Sequence, residues 1–233
     1  MTNPLRVFIT GGTRGIGRAI ALRFAREGAQ VCVAARTSPD LDKVVEEINA
    51  AGGEGEACQA NMRDHGSMEA AVFRAVDFCG GALDIVINNA GSFDYAAFDT
   101  TDMETWERLV GVNLTGPVLV TMEALPALRE SARAHIFNVA SVLAREPVAG
   151  TALYAATKAG LAGLSAGLRA DLANEGIRVT TVFPRATDTD MVAPYKQHWA
   201  GVAFNRPEDV AEVIWDAWQA ETAPPEVFVA APE

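Results

Sequence analysis

The sequence predicts an α/β fold built on one doubly wound parallel sheet of about seven strands, with helices on both faces. Apolar runs of strand length alternate with amphipathic helical patterns along the whole chain. Strands joined by crossover helices run parallel, and this alternation is typical of them. Because no linker, internal repeat or low-complexity segment interrupts the pattern, we expect one domain over residues 1–233.

A change in the spacing of the apolar residues predicts the first strand and the first helix. Leu5–Thr10 is a short apolar run that leads into a Gly-rich turn. Ile16–Glu27 then carries apolar residues at helical spacing, with Ile20 and Phe24 on one face. Gly28 stands just beyond the last periodic residue, where a helix commonly ends.

The next elements repeat the same unit. Val31–Ala35 is the second predicted strand, and a Ser-Pro-Asp turn begins the helix Leu41–Ala50. Glu56–Ala60 is a weaker third strand, Ser67–Phe78 a third helix and Leu83–Asn88 a strongly apolar fourth strand. We expect chemistry in the turns that follow the strands, because ligands of such sheets bind beyond the carboxyl ends.

The second half of the chain continues the alternation. One long helical region, Met103–Leu128, contains Gly116-Pro117, where we expect a bend because proline interrupts helical hydrogen bonding. The remaining predicted elements are the strand His135–Ala140, the helix Thr151–Asn174, the strand Arg178–Phe183, the helix Pro207–Ala220 and the strand Glu226–Ala230.

Composition limits the classes of function. Hydrophobic residues make up 49% of the chain, which excludes general disorder. The net charge of −11 argues against nucleic acid or an anionic membrane as a partner. Cys32, Cys58 and Cys79 form no metal motif and are interpreted as reduced core thiols, so no metal site is predicted. With no secretory or membrane-spanning pattern apparent, we expect a cytoplasmic protein.

The turn after the first strand resembles a phosphate cradle. It reads Thr10-Gly11-Gly12-Thr13-Arg14-Gly15-Ile16-Gly17 and leads into a helix. Glycines let backbone N–H groups approach a pyrophosphate, and a helix N-terminus favours negative charge. A tight β-α connection would also use glycines. The strand before and the helix after favour the nucleotide interpretation, typical of a Rossmann-type sheet.

The end of the second strand indicates which dinucleotide binds. NAD sites usually carry a carboxylate here for the ribose hydroxyls, but this chain has Ala35 and Arg36. Arg36 and Arg14 could clamp a 2′-phosphate through charge-assisted hydrogen bonds, or could be solvated surface residues. Because the missing acid and the two bases agree, we expect NADP(H) in preference to NAD(H).

Tyr154 and Lys158 lie one helical turn apart, so their side chains point the same way. A phenol has an ordinary pKa near ~10, and a nearby ammonium should lower it toward the range useful for proton transfer. An ordinary surface lysine beside a half-buried tyrosine would show the same spacing. The pair alone therefore does not decide between these interpretations.

Further motifs follow the later strands in a fixed order. Asn88-Asn89-Ala90-Gly91 follows the fourth strand, Asn113 lies in the next helix and Ser141 follows the fifth strand. With the Gly-rich turn and the Tyr-Lys pair, they resemble the classical short-chain dehydrogenase/reductase family, and in particular its 3-oxoacyl carrier-protein reductases. The resemblance covers roughly Val7 to Val229.

That resemblance implies a catalytic tetrad and a cofactor site. Tyr154 would donate the proton to the carbonyl, Lys158 would lower the pKa of Tyr154 and hold the nicotinamide ribose, Ser141 would polarise the carbonyl, and Asn113 would hold a relay water. The implied cofactor-binding residues are Gly11, Thr13, Arg14, Gly15, Ile16, Gly17, Arg36, Asn61, Met62, Asn89, Ala90, Gly91, Tyr154, Lys158, Pro184, Thr187 and Thr189. Thr189 is equally a candidate helix N-cap.

The expected function is NADP(H)-dependent reduction of a small-to-medium ketone, aldehyde or 3-oxoacyl substrate, or the reverse oxidation, by a homodimer or homotetramer. A substrate loop is expected at about 186–206. The candidate pocket residues are Phe93, Tyr95, Phe98, Val142, Leu143, Tyr195 and Trp199, and the candidate docking residues for an acidic carrier are Arg129, Arg133 and Arg169.

The chain departs from the family after the sixth strand, where Pro184-Arg185 replaces the usual Pro-Gly. Arg185 could turn outward, pair with Asp188 or Asp190, or meet an anionic substrate. The same departure leaves open an alternative function, in which the chain is a nucleotide-binding regulatory or scaffold protein with weak or lost turnover.

Overall fold

A computed structural model describes residues 4–230 of the chain. Their seven strands are β1 (Arg6–Thr10), β2 (Gln30–Ala35), β3 (Glu54–Gln59), β4 (Ile85–Asn88), β5 (His135–Val139), β6 (Arg178–Phe183) and β7 (Glu226–Phe228). They form one sheet in the order β3-β2-β1-β4-β5-β6-β7, and every neighbouring pair is parallel. The predicted doubly wound parallel sheet is therefore confirmed.

The helices connect these strands as the sequence predicts. They are α1 (Gly15–Ala25), α2 (Ser38–Ala50), α3 (His65–Phe78), α4 (Met103–Val110), α5 (Gly116–Arg129), α6 (Ala152–Asp171) and α7 (Pro207–Gln219). The bounds differ from the predicted ones by a few residues. For example, α2 begins at Ser38 rather than Leu41, because Pro39 and Asp40 occupy its first turn.

The long helical region is interrupted between α4 and α5. Gly111–Thr115 is a π-helical segment, one turn before the bend expected at Gly116-Pro117. Pro117 has no N–H, and its ring would clash with the carbonyl of Asn113 four residues earlier in a regular α-helix. The proline therefore displaces the irregularity toward Asn113, and short π segments of this kind are frequent at functional sites.

The sheet is buried on both faces. Alternate residues of β1 point to opposite sides: Val7 and Ile9 pack in the cluster with α1, α2 and α7, while Phe8 packs in the cluster with α3 and α5. Burial on both sides explains why the central strands read as continuous apolar runs. The three cysteines are buried and free, as the sequence indicates for reduced core thiols.

The helical stretch Met103–Arg129 is long and apolar enough to cross a membrane by length and composition, with a mean hydropathy of 1.3 over an 18-residue window within it. In this fold its α5 half packs on α3 and on the central strands instead. Val120, Ala124 and Leu128 are buried in that contact. The α5 half of the stretch therefore packs one face against the sheet and α3.

We predict that Phe8→Ala lowers the free energy of unfolding by about 3–5 kcal/mol, because it leaves a cavity in the centre of the sheet. Phe73→Ala makes the same chemical change at a side chain that is 73% exposed, and we expect it to stay within about 0.5 kcal/mol of the native protein. Urea unfolding of both variants measures the difference. Equal losses would contradict the described packing of β1.

Candidate active site

A cavity of about 830 Å³ opens at the carboxyl edge of the sheet. The segments that follow β1 through β6 all contribute to its wall. The chain reverses its winding direction between β1 and β4, which are neighbours in the sheet. Parallel sheets of this kind bind ligands at that switch point.

The cavity gathers the residues that the sequence assigns to a cofactor. Every predicted cofactor-binding residue lines it: Gly11, Thr13, Arg14, Gly15, Ile16, Gly17, Arg36, Asn61, Met62, Asn89, Ala90, Gly91, Tyr154, Lys158, Pro184, Thr187 and Thr189. Ser141 lines it as well, whereas Asn113 is fully buried behind the wall. Residues from distant parts of the chain thus face one space.

The Gly-rich turn leaves its backbone bare at this cavity. Gly11 and Gly15 have positive φ angles of 66° and 53°, which side-chain-bearing residues rarely adopt. A Cβ atom on Gly17 would lie 2.3 Å from the carbonyl oxygen of Gly11. The first turn of α1 holds no acidic residue, and Arg14 at its N-cap makes no capping hydrogen bond. Free N–H groups at a bare helix N-terminus fit a pyrophosphate.

Asn89 holds the Gly-rich turn against the end of β4. Its side-chain amide donates to the carbonyls of Thr10 and Gly11, at 2.9 and 3.1 Å. In return, the Thr10 hydroxyl accepts from the backbone N–H groups of Asn89 and Ala90. Asn89 therefore shapes the cradle itself, a role that the sequence pattern did not indicate.

The far end of the cavity carries Asn61 and Arg36. The Asn61 side-chain oxygen accepts from the N–H of Arg63 at 3.1 Å, which fixes the direction of its amide group. Arg36 is exposed, and within residues 4–230 it forms no salt bridge. Arg14 is also exposed and lies 3.9 Å from Asp190. Two cations thus border this end of the cavity.

Tyr154 and Lys158 project from α6 toward the end of β5. The Lys158 ammonium is buried and donates to the carbonyl of Val139 at 2.8 Å. It lies 5.9 Å from the centre of the Tyr154 ring. Phe93 packs edge-on against the same ring, with centroids 4.7 Å apart, and so restricts its rotation.

Burial sets the protonation of this pair. It raises the pKa of Tyr154 to about 12, while a hydrogen bond with Ser141 acts in the opposite direction. Burial also lowers the pKa of Lys158 to about 8. Desolvation by burial outweighs the hydrogen bond with Ser141 in setting the pKa of Tyr154, while the Lys158 ammonium is directed at the carbonyl of Val139; the lowering of the Tyr154 pKa by Lys158 stays a prediction.

Asn113 is held by a closed set of hydrogen bonds. Its side-chain oxygen accepts from the N–H of Ser92 at 2.7 Å, and its amide donates to the carbonyl of Ser92 and to the hydroxyl of Thr157. A Cβ atom on Gly91 would lie 3.6 Å from this oxygen and 3.7 Å from the Lys158 ammonium. The Asn113 side chain therefore connects the segment between α4 and α5 to the loop after β4 and to α6, beside Lys158.

Ser141 lies at the start of a short 3-10 turn, Val142–Ala144, that follows β5. Its hydroxyl oxygen accepts from the N–H of Leu143 at 3.2 Å. This bond leaves the hydroxyl proton free to point at Tyr154 or into the cavity. Ser141 and Tyr154 thus form a pair of donors on one wall.

Aromatic side chains close the wall beyond Tyr154. Phe93 contacts Tyr195 and Trp199, and Tyr95 contacts both of them from behind. Among the predicted pocket residues, Phe93, Val142, Leu143 and Trp199 line the cavity, while Tyr95 and Tyr195 pack outside the lining. Phe98 is 72% exposed and takes no part in this cavity.

Some residues that line the cavity were not identified from the sequence as candidates for the site. They are Ser92, Arg108, Glu146, Val148, Met191, Val202 and Ala203. Most of them come from loops without a periodic pattern, so only the tertiary path of those loops brings them to the cavity.

Two of the open alternatives are resolved by contacts. Thr189 is not a helix N-cap, because the following 3-10 helix begins at Ala193 with Val192 before it; it lines the cavity instead. Arg185 is exposed on the cavity wall, and within residues 4–230 it pairs with neither Asp188 nor Asp190. Those acids contact Lys196 and Arg14.

The three candidate docking arginines are engaged within the chain. Arg129 pairs with Glu175 at 2.7 Å, and Arg169 donates to the carbonyls of Val179 and Pro225. Arg133 stacks over the ring of Trp218. These contacts explain the three side chains without a carrier protein, so the docking prediction has no support in the fold.

Known proteins match this chain over most of its length. A profile of the short chain dehydrogenase family matches residues 6–199. A 2,5-dichloro-2,5-cyclohexadiene-1,4-diol dehydrogenase of Sphingobium indicum is 36% identical over 185 residues, or 79% of this chain and 74% of that protein.

Solved structures share this fold, and they include one complex with NADP and one with NADH. A short chain dehydrogenase from Burkholderia cenocepacia, in complex with NADP, matches with a TM-score of 0.86 and 32% identity, covering 97% of this chain and 96% of that one. The 3-ketoacyl-(acyl-carrier-protein) reductase from Brucella melitensis, complexed with NADH, matches with a TM-score of 0.88 and 29% identity, covering 96% and 95%.

We predict that burial of Lys158 makes stability depend on pH. Its folded pKa of about 8 lies below the ordinary 10.5, so the unfolded chain binds more protons between these values. Stability from this group therefore rises with pH across that window. In urea unfolding, the free energy of unfolding of the native protein should rise relative to that of Lys158→Met between pH 8 and 10.5.

Lys43→Met removes an exposed lysine on α2 and controls for the loss of one positive charge. A stability difference between the native protein and Lys158→Met that stays constant across the window would contradict the buried, desolvated ammonium.

Proposed function

The chain belongs to the short-chain dehydrogenase/reductase family, and we propose that it is an NADP(H)-dependent carbonyl reductase or alcohol dehydrogenase that uses Tyr154 as its general acid or base. The substrate would be a small-to-medium ketone, aldehyde or 3-oxoacyl compound. The likeness to 3-oxoacyl carrier-protein reductases that the motifs indicate is confirmed by the relatives.

The observation that carries this proposal is the meeting of Ser141, Tyr154 and Lys158 in the cavity that also holds the Gly-rich turn. Two hydroxyl donors face a space that is large enough for a dinucleotide and a small substrate. Enzymes of the α/β class assemble catalytic groups at this edge of the sheet, beside the bound cofactor.

Arg36 and Arg14 support the preference for NADP(H). Neither is committed to a strong internal ion pair, since Arg36 has none among residues 4–230 and Arg14 is 3.9 Å from an exposed aspartate. The strand β2 ends without a carboxylate that would repel a 2′-phosphate. A guanidinium group can donate two parallel hydrogen bonds to two oxygens of one phosphate, so both arginines suit the 2′-phosphate.

The phenol of Tyr154 is the proposed proton donor to the carbonyl oxygen. A pKa raised to about 12 keeps it protonated at neutral pH, which is the form required for reduction. Ser141 would donate a second hydrogen bond to the same oxygen and so stabilise its developing negative charge. The bound nicotinamide would supply the hydride.

Lys158 is the proposed source from which Tyr154 regains its proton. Burial lowers the pKa of Lys158 to about 8, so it can release and recover a proton near neutral pH. The Asn113 side chain is fully occupied by Ser92 and Thr157. A relay water beside Asn113 would therefore hydrogen-bond to the backbone carbonyl of Asn113. In an α-helix that carbonyl would accept from the N–H of residue 117, but Pro117 has no N–H.

Arg185 was the reason to consider a nucleotide-binding scaffold without turnover. Its side chain is exposed on the cavity wall, and Ser141, Tyr154 and Lys158 line the same cavity. That geometry supports an enzyme over a scaffold.

We predict that Tyr154→Phe lowers NADPH-dependent reduction of a carbonyl panel by about 10²-fold or more, because the only change is loss of the donated proton. NADPH binding, followed by fluorescence titration, should remain. Tyr195→Phe is the matched control, because Tyr195 packs on Phe93 without lining the cavity. Retained turnover in Tyr154→Phe would refute the role of Tyr154.

We predict that Arg36→Ala weakens NADPH binding by about tenfold or more, as expected for loss of hydrogen bonds to a charged group. NADH binding should change by less than about twofold, because NADH lacks the 2′-phosphate. Arg26→Ala, at the exposed end of α1 away from the cavity, controls for the charge change. Equal losses for both nucleotides would contradict the assignment.

A further inference from the structure

Arg185 stands on a fixed backbone beside the reacting groups. The carbonyl of Pro184 accepts from the N–H of Val142 at 3.0 Å, which joins this segment to the turn that carries Ser141. The Thr187 hydroxyl donates to the carbonyl of Arg185 at 2.9 Å. Within residues 4–230, no residue other than glycine has a positive φ, so the arginine is accommodated without backbone strain.

The guanidinium of Arg185 has no acidic partner in the described part of the chain. Asp188, three residues later, contacts Lys196 at 2.6 Å, and Asp190 lies near Arg14. The Arg185 side chain lines the same cavity as Ser141 and Tyr154. Its hydrogen-bond donors are therefore directed to solvent or to whatever enters the cavity.

Other cationic side chains that line the cavity on the side of Tyr154 already have hydrogen-bond partners within the chain. Lys158 donates to the carbonyl of Val139. Arg108 donates to the hydroxyl of Ser92 and lies 3.9 Å from Asp94. Among the described lining residues on this side, Arg185 is the cation that a substrate could engage without breaking an existing contact.

We propose that Arg185 binds a carboxylate of the substrate, so that the enzyme prefers oxo acids, or the matching hydroxy acids, over neutral carbonyl compounds. The proposal rests on the proposed reductase function and names its substrate class. Arginine presents a planar fork of donors that matches the two oxygens of a carboxylate. Because the whole chain carries a net charge of −11, an anionic substrate needs such a local attraction.

The rest of the cavity suits an apolar group on the other side of the carbonyl. Phe93, Met191, Trp199 and Val202 form its wall beyond Tyr154. Glu146 and Asp190 are exposed on the same cavity and oppose a carboxylate, and Asp190 lies 3.9 Å from Arg14. The proposed substrate therefore has an apolar end against the aromatic wall and an acid end toward Arg185.

The test compares acids with their own esters. The probes are phenyl-substituted 2-, 4- and 5-oxo acids, each paired with its methyl ester, assayed with NADPH on the full chain. The native enzyme should turn over at least one acid with a higher kcat/KM than its ester. Arg185→Ala should raise KM for that acid by about tenfold or more, as loss of a charge-assisted contact predicts, and leave the ester within about twofold.

Two further variants separate recognition from structure. Arg185→Lys keeps the charge without the fork and should retain part of the preference for the acid. Arg26→Ala changes the net charge equally, far from the cavity, and should change neither substrate. An unchanged acid-to-ester ratio in Arg185→Ala, or a native preference for every ester, would overturn the proposal.

Failure of the proposed function has a different signature. If neither acids nor esters are turned over, the reductase assignment fails, and calorimetric binding of the same probes to the NADP-loaded protein decides the role of Arg185. Acid binding that is lost in Arg185→Ala supports the anion site without turnover. Acid binding no tighter than ester binding, or unaffected by Arg185→Ala, overturns it.

Discussion

The parallel pairing of β1 with β4 is the constraint on which the site depends. Their register sets Val7 beside Ile85 and Ile9 beside Ile87, so both strands end at the same edge of the sheet. The chain winds in opposite directions on either side of this pair, which opens a crevice between the turns that follow. Without that reversal, the Gly-rich turn and the Tyr154 helix would face different spaces.

Buried polar contacts hold the two halves of this crevice in place. The Asn88 amide donates to the side-chain oxygen of Asn138 at 2.8 Å, and the amide of Asn138 donates to the hydroxyl of Ser165. These bonds tie β4 and β5 to the middle of α6. Because an unpaired buried amide costs free energy, such contacts favour one position of α6, and with it one position of Tyr154.

Desolvation and fixed charge act on the site in different ways. Burial raises the pKa of Tyr154 to about 12 and lowers the pKa of Lys158 to about 8, so of the two groups the lysine titrates nearer neutral pH. Arg36 and Arg185 are exposed at the cavity, and within residues 4–230 neither forms a salt bridge. Burial thus sets the protonation of the groups inside the cavity, and exposed arginines place positive charge at its two ends.

The sequence by itself determined the doubly wound sheet, the Gly-rich cradle and the residue types at the strand ends, because these follow from local periodicity and backbone sterics. It placed the helix irregularity near Pro117 but could not show that the strain widens the helix around Asn113. Nor could it predict the protonation of Tyr154, or that Arg185 has no acidic partner among residues 4–230. Those depend on desolvation and on which acids other loops bring near, so only the tertiary structure decided them.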